Sequence, residues 1–586
     1  MNLVFDIETD GLKPSKIHCI VAVDEQDKVY TFTPDQIEKG VEFLAEADTL
    51  IGHNIIGYDL PVIKKLMGID LTKSVKIFDT LIVSRLINPN QEGGHSLEMW
   101  GYRLKFHKSE QPDFLNYSKE MLKYCIKDVQ LNKRVYEELR KNSEGFSKES
   151  LELEFKVAEV LKDQETAGFK FDMEKAVLLL SKLRERMKEV EDEVHKVFKP
   201  RWVDEKLVTP KLKKDGTLSK SGLTKYEYDD LCKRGANRQH LRSAIKIKPF
   251  MRKSLQDFNL GSRKQIGEYL QEFGWKPKTF TPTGQPIVDE AVLSRIKDIP
   301  EAKLIAEFLL LQKRIAQIES WVDAVEEDKR VHGFVISTGA ITGRMSHRNP
   351  NMAQVPSVHS PYGEECRSCW VVDKGYKLIG VDAAQLELRM LAHYMKDEEY
   401  INEIINGDIH TANQKAAGLK SRDQAKTFVY ALIYSAGDER LGSVVGRSRA
   451  DGKRLRQQFL DNTPTFKHLK DKVQRASRRG YVKGLDGRKI FIRHQHASLN
   501  TLLQGAGAIL MKQALVILNN ELKLQTHDVK FVANIHDEWQ IEACETVADS
   551  IGKLAVDSII KAGEHFNLRC PMDGEYKVGD NWSETH

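Results

Sequence analysis

Two apolar runs that each end in acid constrain this chain more than any other feature. Phe531-Val-Ala-Asn-Ile535 reads as a buried strand and runs straight into His536-Asp537-Glu538. Far earlier, Val371-Val372 and Leu378-Ile-Gly-Val381 form a second such run, which ends in Asp382. Strands that deliver carboxylates to one sheet edge can build a site for two hard divalent cations. Mg²⁺ takes a few carboxylates plus substrate phosphates rather than an all-protein cage. Two metals about 4 Å apart suit in-line phosphoryl transfer. A single acid at a strand end is an ordinary turn residue; here the order of basic and aromatic residues between the two acids points to more.

After Asp382 come Glu387, Arg389 and His393, in a segment that turns from strand to helix, then Gly407-Asp408-Ile-His410. Arg422, Lys426 and Tyr430 follow at i, i+4 and i+8, which places them along one helix face, with Tyr434 one turn further. Two fixed cations on that face can hold a triphosphate, Arg as a planar fork and Lys as a point charge. The tyrosine ring can cover a sugar or a base. The chain has no G-x-x-x-x-G-K-[ST], so a glycine-rich P-loop is not the phosphate holder.

A second acid cluster lies at the N-terminal end. Asp6-Ile-Glu8 closes the first strand candidate, and a spacing of two puts both carboxylates on one side. His53-Asn54-Ile-Ile-Gly-Tyr58-Asp59 adds a third acid, and Tyr124-Cys-Ile-Lys-Asp128 a fourth, one helical turn from a phenol. Four acids and one phenol can hold two metals and orient a water against a phosphodiester.

The 586 residues suggest roughly four domains, and a composition of 41% hydrophobic and 30% charged residues is globular. No apolar run approaches the roughly 18 residues of a membrane span, and Asp6, Glu8 and Asp10 interrupt any secretory pattern. Seven scattered cysteines imply reduced thiols and a cytoplasmic setting, with Cys366-Arg-Ser-Cys369 read as structural. The net charge of +5 is uninformative, but Arg201–Lys253 holds 15 Lys/Arg against 6 Asp/Glu. Such a segment attracts phosphate backbones. Prolines and glycines break the helical pattern over 200–257, which reads as an insertion or mobile loop. A hairpin is expected near Tyr481–Arg493 with Asp486-Gly487 at its turn, then a long helix from Ala497 to Leu522.

The set Asp-x-Glu, Asn-x-x-x-Tyr-Asp and Tyr-x-x-x-Asp resembles the DEDD-type 3′→5′ exonucleases that carry a tyrosine in the last motif. The chain as a whole resembles the family A (Pol I-type) DNA polymerases, the replicative enzymes of T-seven-like short-tailed phages above all. The strings that carry this are Gly93–Arg103, Phe258–Arg263, Thr342-Gly-Arg344, Pro350–Pro356, Lys483–Lys489, Leu499–Gln504 and the ending Asn581–His586.

The resemblance implies an α/β multidomain fold: an RNase H-like 3′→5′ exonuclease domain at 1–145, then a right-hand polymerase. Its thumb would span 146–330 with the basic insertion at about 200–257. The palm would take 331–400 and 481–586, and the fingers 401–480. It implies Asp382 and Asp537 as palm metal ligands with Glu538 beside them. Asp6, Glu8, Asp59 and Asp128 become exonuclease metal ligands, with Tyr124 orienting the water. Arg422, Lys426 and His410 would meet the dNTP triphosphate, while Tyr430 and Glu387 wall its sugar. Tyr434 would stack near the template base, His536 touch the primer end, and Arg344 and Gln504 donate to minor-groove acceptors. Two Mg²⁺ per site are implied, with Mn²⁺ as an alternative. Primer–template DNA and dNTPs are the implied partners of a monomeric catalytic subunit in the host cytoplasm, away from membranes. A helicase–primase is a further implied partner; those relatives take a thioredoxin-like processivity factor on a thumb insertion, but the basic segment here shows no matching motif and is expected to contact duplex DNA directly. No 5′-nuclease domain is expected ahead of residue 1, and the thumb is expected to be shorter than in those relatives.

Overall fold

The computed structural model describes residues 1–586 except Gly145, Gly216, 237–247 and 525–527. It divides into two compact units, one made of Met1–Met173 with Trp321–His586 and the other of Glu174–Ser320.

In the first unit, strands β1 (Asn2–Thr9), β2 (Ile17–Val23), β3 (Val29–Phe32), β4 (Thr49–Gly52) and β5 (Lys76–Asp79) form one sheet in the order β3-β2-β1-β4-β5. β1 runs antiparallel to β2 and parallel to β4. As the central strand it is covered on both faces, which is why Leu3, Val4, Phe5 and Ile7 are all buried rather than alternating. The register slips between Glu8 and Thr9. A bulge at that point turns the end of the strand. Helix α1 (Asp59–Met67) follows β4, and α2 (Lys119–Asn142) packs across β1 and β2. Ser118 caps α2 by accepting from Met121 N. Its buried residues Met121, Tyr124, Cys125, Asp128, Val129, Asn132 and Val135 recur at three and four, the period of one helix face. Helix α3 (Lys148–Ala167) ends at Gly168, whose φ of +64° breaks the helical run read over 150–199.

In the second unit, α4 (Met173–Val197) and α5 (Glu301–Val322) are the long helices. Between them the segment read as an insertion or mobile loop carries a two-stranded antiparallel ribbon, β6 (Arg201–Val208) with β7 (Phe250–Gln256). Trp202 faces Leu255 and Leu207 faces Met251, all four exposed. A register shift between Asp204 and Lys206 breaks the alternation, and charges fill the rest, so the period of two is hidden. Gly216 and 237–247 of the basic segment lie outside the described residues.

The remainder of the first unit is built on β8 (Tyr376–Ala383). Helices α6 (Leu386–Met395), α7 (Ile409–Ala417) and α8 (Arg422–Ile433) follow it. Next comes the hairpin β9 (Tyr481–Lys483) and β10 (Lys489–Phe491), with Gly487 at φ +83° in its turn, then α9 (Ser498–Lys523). β11 (Val529–Ile535), β12 (Glu538–Cys544), helix α10 (Ala548–His565) and β13 (Gly574–Gly579) complete it. The sheet order is β11-β12-β8-β13, antiparallel throughout. α9 packs against α10, and α3 packs against both α9 and β11. The expectation that no apolar run is long enough for a membrane needs correction. Gln495–Lys523 is long and apolar enough, but 78% of its apolar window is buried inside the protein, where it forms core.

Candidate active sites

The sheet β11-β12-β8-β13 brings the two strand-end acids together. Asp382 lies on β8, whose partner strand is β12, and Asp382 stands opposite Glu538 in the register. Asp537 sits in the tight turn between β11 and β12, next to His536, which holds a φ of +58°. The Ala383 amide donates to the Asp537 carbonyl at 3.2 Å and fixes the two strand ends side by side. Asp382 opens to solvent on one side, yet desolvation and the nearby Asp537 and Glu538 charges push its carboxyl up to about 7. Asp537 is raised as well, by desolvation and by Glu387. Two oxygen donors whose negative charge is this poorly tolerated match a hard dication.

Glu538 is different. Its Oε1 accepts from Trp582 Nε1 at 2.6 Å and from Gln540 Nε2 at 2.7 Å, and its Oε2 lies 2.9 Å from His586 Nδ1. Burial would raise it, but the His586 and Trp582 hydrogen bonds and the Arg367 charge hold it below the usual range.

Several other expected residues lie close to this edge, where the Asp382 and Asp537 charges bear on Tyr430, and Glu387 and Arg344 bear on Asp537. On α8, Arg422 and Lys426 are exposed and Tyr430 half-buried along one face. Desolvation, with Glu387, Tyr434, Asp537 and Asp382 adding negative potential, raises the Tyr430 phenol to about 12. Arg422 Nε pairs with Asp408 at 2.7 Å, a partner sequence reasoning passed over. Asp408 also caps α7 through the His410 amide, so it couples the start of α7 to the cationic face. His410 is buried, and its Nδ1 has no hydrogen-bond partner among the described residues. Glu387 accepts from Arg344 Nη2 at 3.0 Å and from the Tyr434 hydroxyl at 3.1 Å. Gln504 is half-buried on α9.

The N-terminal acids also converge. Asp6 and Glu8 lie on β1; Asp59 opens α1 and accepts from the Ile7 amide between them at 3.2 Å; Asp128 comes from α2. A cavity of about 260 Å³ is lined by these four together with Tyr124, His53, Phe114 and Lys108. Desolvation comes first in raising each acid, Asp6 well up, Glu8 to about 8, Asp59 to about 7, and Asp128 also up. The other acids add to the shift at Asp6 and Glu8. Asp128 Oδ1 is buried with no hydrogen-bond partner among the described residues, so the donor set fits divalent cations. Two members were missed in the sequence. Cys125 presents its sulfur with Asp6 and Glu8 donor atoms, all within 4.8 Å of one another. Lys108 pairs with Asp128 Oδ2 at 2.6 Å. Lys108 sits in an irregular stretch with no periodic signal, so only the fold reveals it.

A model of DNA polymerase family A matches residues 236–584, and a model of the RNase H superfamily matches residues 3–140. The chain is 34% identical to the DNA-directed DNA polymerase of Enterobacteria phage T3 and 33% identical to that of Escherichia phage T7, over the full length of each chain. The T3 alignment runs over 710 positions, more than the 586 residues here, so that relative carries segments this chain lacks. A solved structure, the POL domain of Pol1 from M. smegmatis in complex with DNA primer-template and dNTP, superposes with a TM-score of 0.79 at 18% identity. That match covers 100% of this chain and 96% of the other, and it speaks for the fold. The chain belongs to the family A DNA polymerases and carries a domain of the RNase H superfamily.

Proposed function

We propose that this DNA-directed DNA polymerase extends a primer on a template at the palm site and trims mispaired 3′ ends at the N-terminal site, as a phage replicative enzyme in the host cytoplasm. Asp382 and Asp537, set side by side by the Ala383–Asp537 backbone bond, carry this reading. Enzymes of both classes are metal-dependent, and Mg²⁺ is the ion proposed for each acid cluster. Bound there, divalent cations would lower the pKa of the attacking oxygen and stabilise charge on the transferring phosphoryl group.

The side chains supply the rest. Arg422 and Lys426 present two cations to a triphosphate, and Asp408 holds the Arg422 guanidinium in place beforehand. Tyr430 and Glu387 wall the sugar, which leaves no room for a 2′-hydroxyl. Arg344 and Tyr434 meet on Glu387, so the group that reads pair geometry and the group that stacks on the template share one anchor. His410 adds a further contact to the triphosphate, Gln504 adds a minor-groove donor, and His536 stands at the primer end. Glu538 braces the sheet beneath Asp537. At the N-terminal site Asp6, Glu8, Asp59 and Asp128 hold the ions and Tyr124 orients the attacking water. Thumb, palm and fingers follow the boundaries expected above. The cationic ribbon segment contacts duplex DNA directly, and a helicase–primase is the expected replication partner.

The test is primer extension with Mg²⁺, run with dNTPs, with rNTPs and without nucleotides. Extension with dNTPs alone, and 3′ shortening without nucleotides, are expected. Extension by Asp382→Asn at the parental rate would overturn the palm assignment.

A further inference from the structure

One residue of the N-terminal site has no part in the acid set. Lys108 belongs to the irregular stretch between Leu104 and Ser118, and its side chain is only 23% exposed. Its ammonium lies 2.6 Å from Asp128 Oδ2 and 4.8 Å from the centre of the Tyr124 ring. Tyr124 and Asp128 are the two groups that α2 contributes, one turn apart, and Lys108 touches both. The Asp128 carboxylate is split by this contact. Oδ2 is taken by the lysine, while Oδ1 is buried with no partner among the described residues. A carboxylate otherwise rotates about its last bond; a charge-assisted contact to one oxygen fixes where the other stands. Phe114 packs edge-on against Tyr124 at 6.0 Å and limits the ring further.

Resting on the exonuclease reading above, we propose that Lys108 is a positioning residue of the 3′→5′ exonuclease. It acts through Tyr124 and Asp128, aiming the phenol at the attacking water and presenting Asp128 Oδ1 to the cation.

Two consequences separate this from a lysine that merely holds the loop. A fixed ammonium beside the acids also repels a dication. At these distances that repulsion outweighs the benefit of a preset carboxylate, so Lys108→Met should bind Mn²⁺ roughly ten-fold more tightly at this cluster. Turnover should nonetheless fall, because the water is no longer aimed. Damage to the loop would weaken both.

The experiment uses the full chain. Degradation of single-stranded DNA is measured for the parent, Lys108→Met, Lys108→Arg, Tyr124→Phe and Lys108→Met/Tyr124→Phe. Mn²⁺ binding is measured by calorimetry in an Asp382→Asn/Asp537→Asn background, so that the palm does not contribute. Expected are a loss of roughly a hundred-fold in kcat for Lys108→Met with KM within about three-fold, partial recovery in Lys108→Arg, tighter Mn²⁺ binding, and a double variant no slower than Tyr124→Phe. If kcat for Lys108→Met is within about two-fold of the parent, if the two substitutions add, or if Mn²⁺ binding weakens, the positioning role is overturned. A parent chain with no metal-dependent nuclease activity would instead overturn the exonuclease reading, and the proposal with it.

Discussion

Replacing Glu154 by glutamine should destabilise the first unit severely, and in a pH-dependent way. Glu154 lies in α3 and is wholly buried. Its Oε1 accepts from Arg488 Nη1, beside the β9–β10 turn, and from Lys512 Nζ on α9, each at 2.5 Å. Asp486 also pairs with Arg488, at 2.6 Å. Burial would push the Glu154 carboxyl up, but Lys512 and Arg488 prevail and hold it at about 2. Burial draws Lys512 down to about 8 against the pull of Glu154. Without the carboxylate, Arg488 keeps Asp486, but Lys512 faces Arg488 with its counter-charge gone and discharges. Discharging a lysine of ordinary pKa 10.5 at pH 7 costs at most about 5 kcal/mol. Breaking a buried ion pair costs about 3–5 kcal/mol, so the two figures agree. In Tm this is roughly 5–10 °C.

The sign with pH follows from linkage. A lysine with a depressed folded pKa binds more protons unfolded, so stability rises with pH until the unfolded value near 10.5 is passed. Between pH 7 and pH 8 the parent, with its lysine near 8, gains only part of that rise and the variant, with a lower one, gains all of it, so the deficit should narrow by about 1 kcal/mol. Calorimetric scans of both proteins from pH 6.5 to 8.5 test this. A Tm loss below about 2 °C, or one that stays constant with pH, would show that the carboxylate does not neutralise Lys512.

Other expectations concern activity. Asp6→Ala with Glu8→Ala should abolish degradation of single-stranded 3′ ends and leave primer extension; residual nuclease in that double variant would contradict the N-terminal assignment. Tyr430→Phe should lower dideoxynucleotide incorporation about ten-fold, the value of one hydrogen bond that replaces the missing 3′-hydroxyl, as read from chain-termination ratios. Arg422→Ala should reduce kcat/KM for dNTPs roughly ten- to hundred-fold, the loss of a charge-assisted phosphate contact, as measured in single-nucleotide incorporation. Deleting residues 205–250 should shorten products at moderate salt, and unchanged product length would reject DNA contact by that segment.

What could be read in advance follows from how local each signal is. Asp382, and likewise Asp6 with Glu8, stand at or near the end of an apolar run, so strand, turn and acid are encoded within a few residues, and the structure brings each set together. Arg422, Lys426 and Tyr430 share a face because a period of 3.6 needs only one helix. Lys108 could not be found this way. It reaches Asp128 across 20 positions, in a stretch with neither helical nor strand period. The β6–β7 ribbon was missed for a related reason. Its strands lie more than 40 residues apart in the chain, and one ribbon face, Trp202, Leu207, Met251 and Leu255, is exposed, so no run of buried residues marks it.

Asp537 and Glu538 make the same point within one dipeptide. Adjacent in sequence, they read as equivalent acids at a strand end. In the fold Asp537 stands in the turn with desolvation raising its pKa, while Glu538 points into donors from Trp582, Gln540 and His586 that lower it. Three of the chain's last five residues, Trp582, Thr585 and His586, engage Glu538 or its neighbour Gln540, so the C-terminal segment decides which of the two acids keeps its charge exposed to the site. A carboxylate already saturated by neutral and cationic donors has little left to offer a dication, whereas one raised by burial and like charge is relieved by binding it. The different surroundings of two neighbouring acids are therefore set more than 40 residues away, by the segment that packs behind one of them.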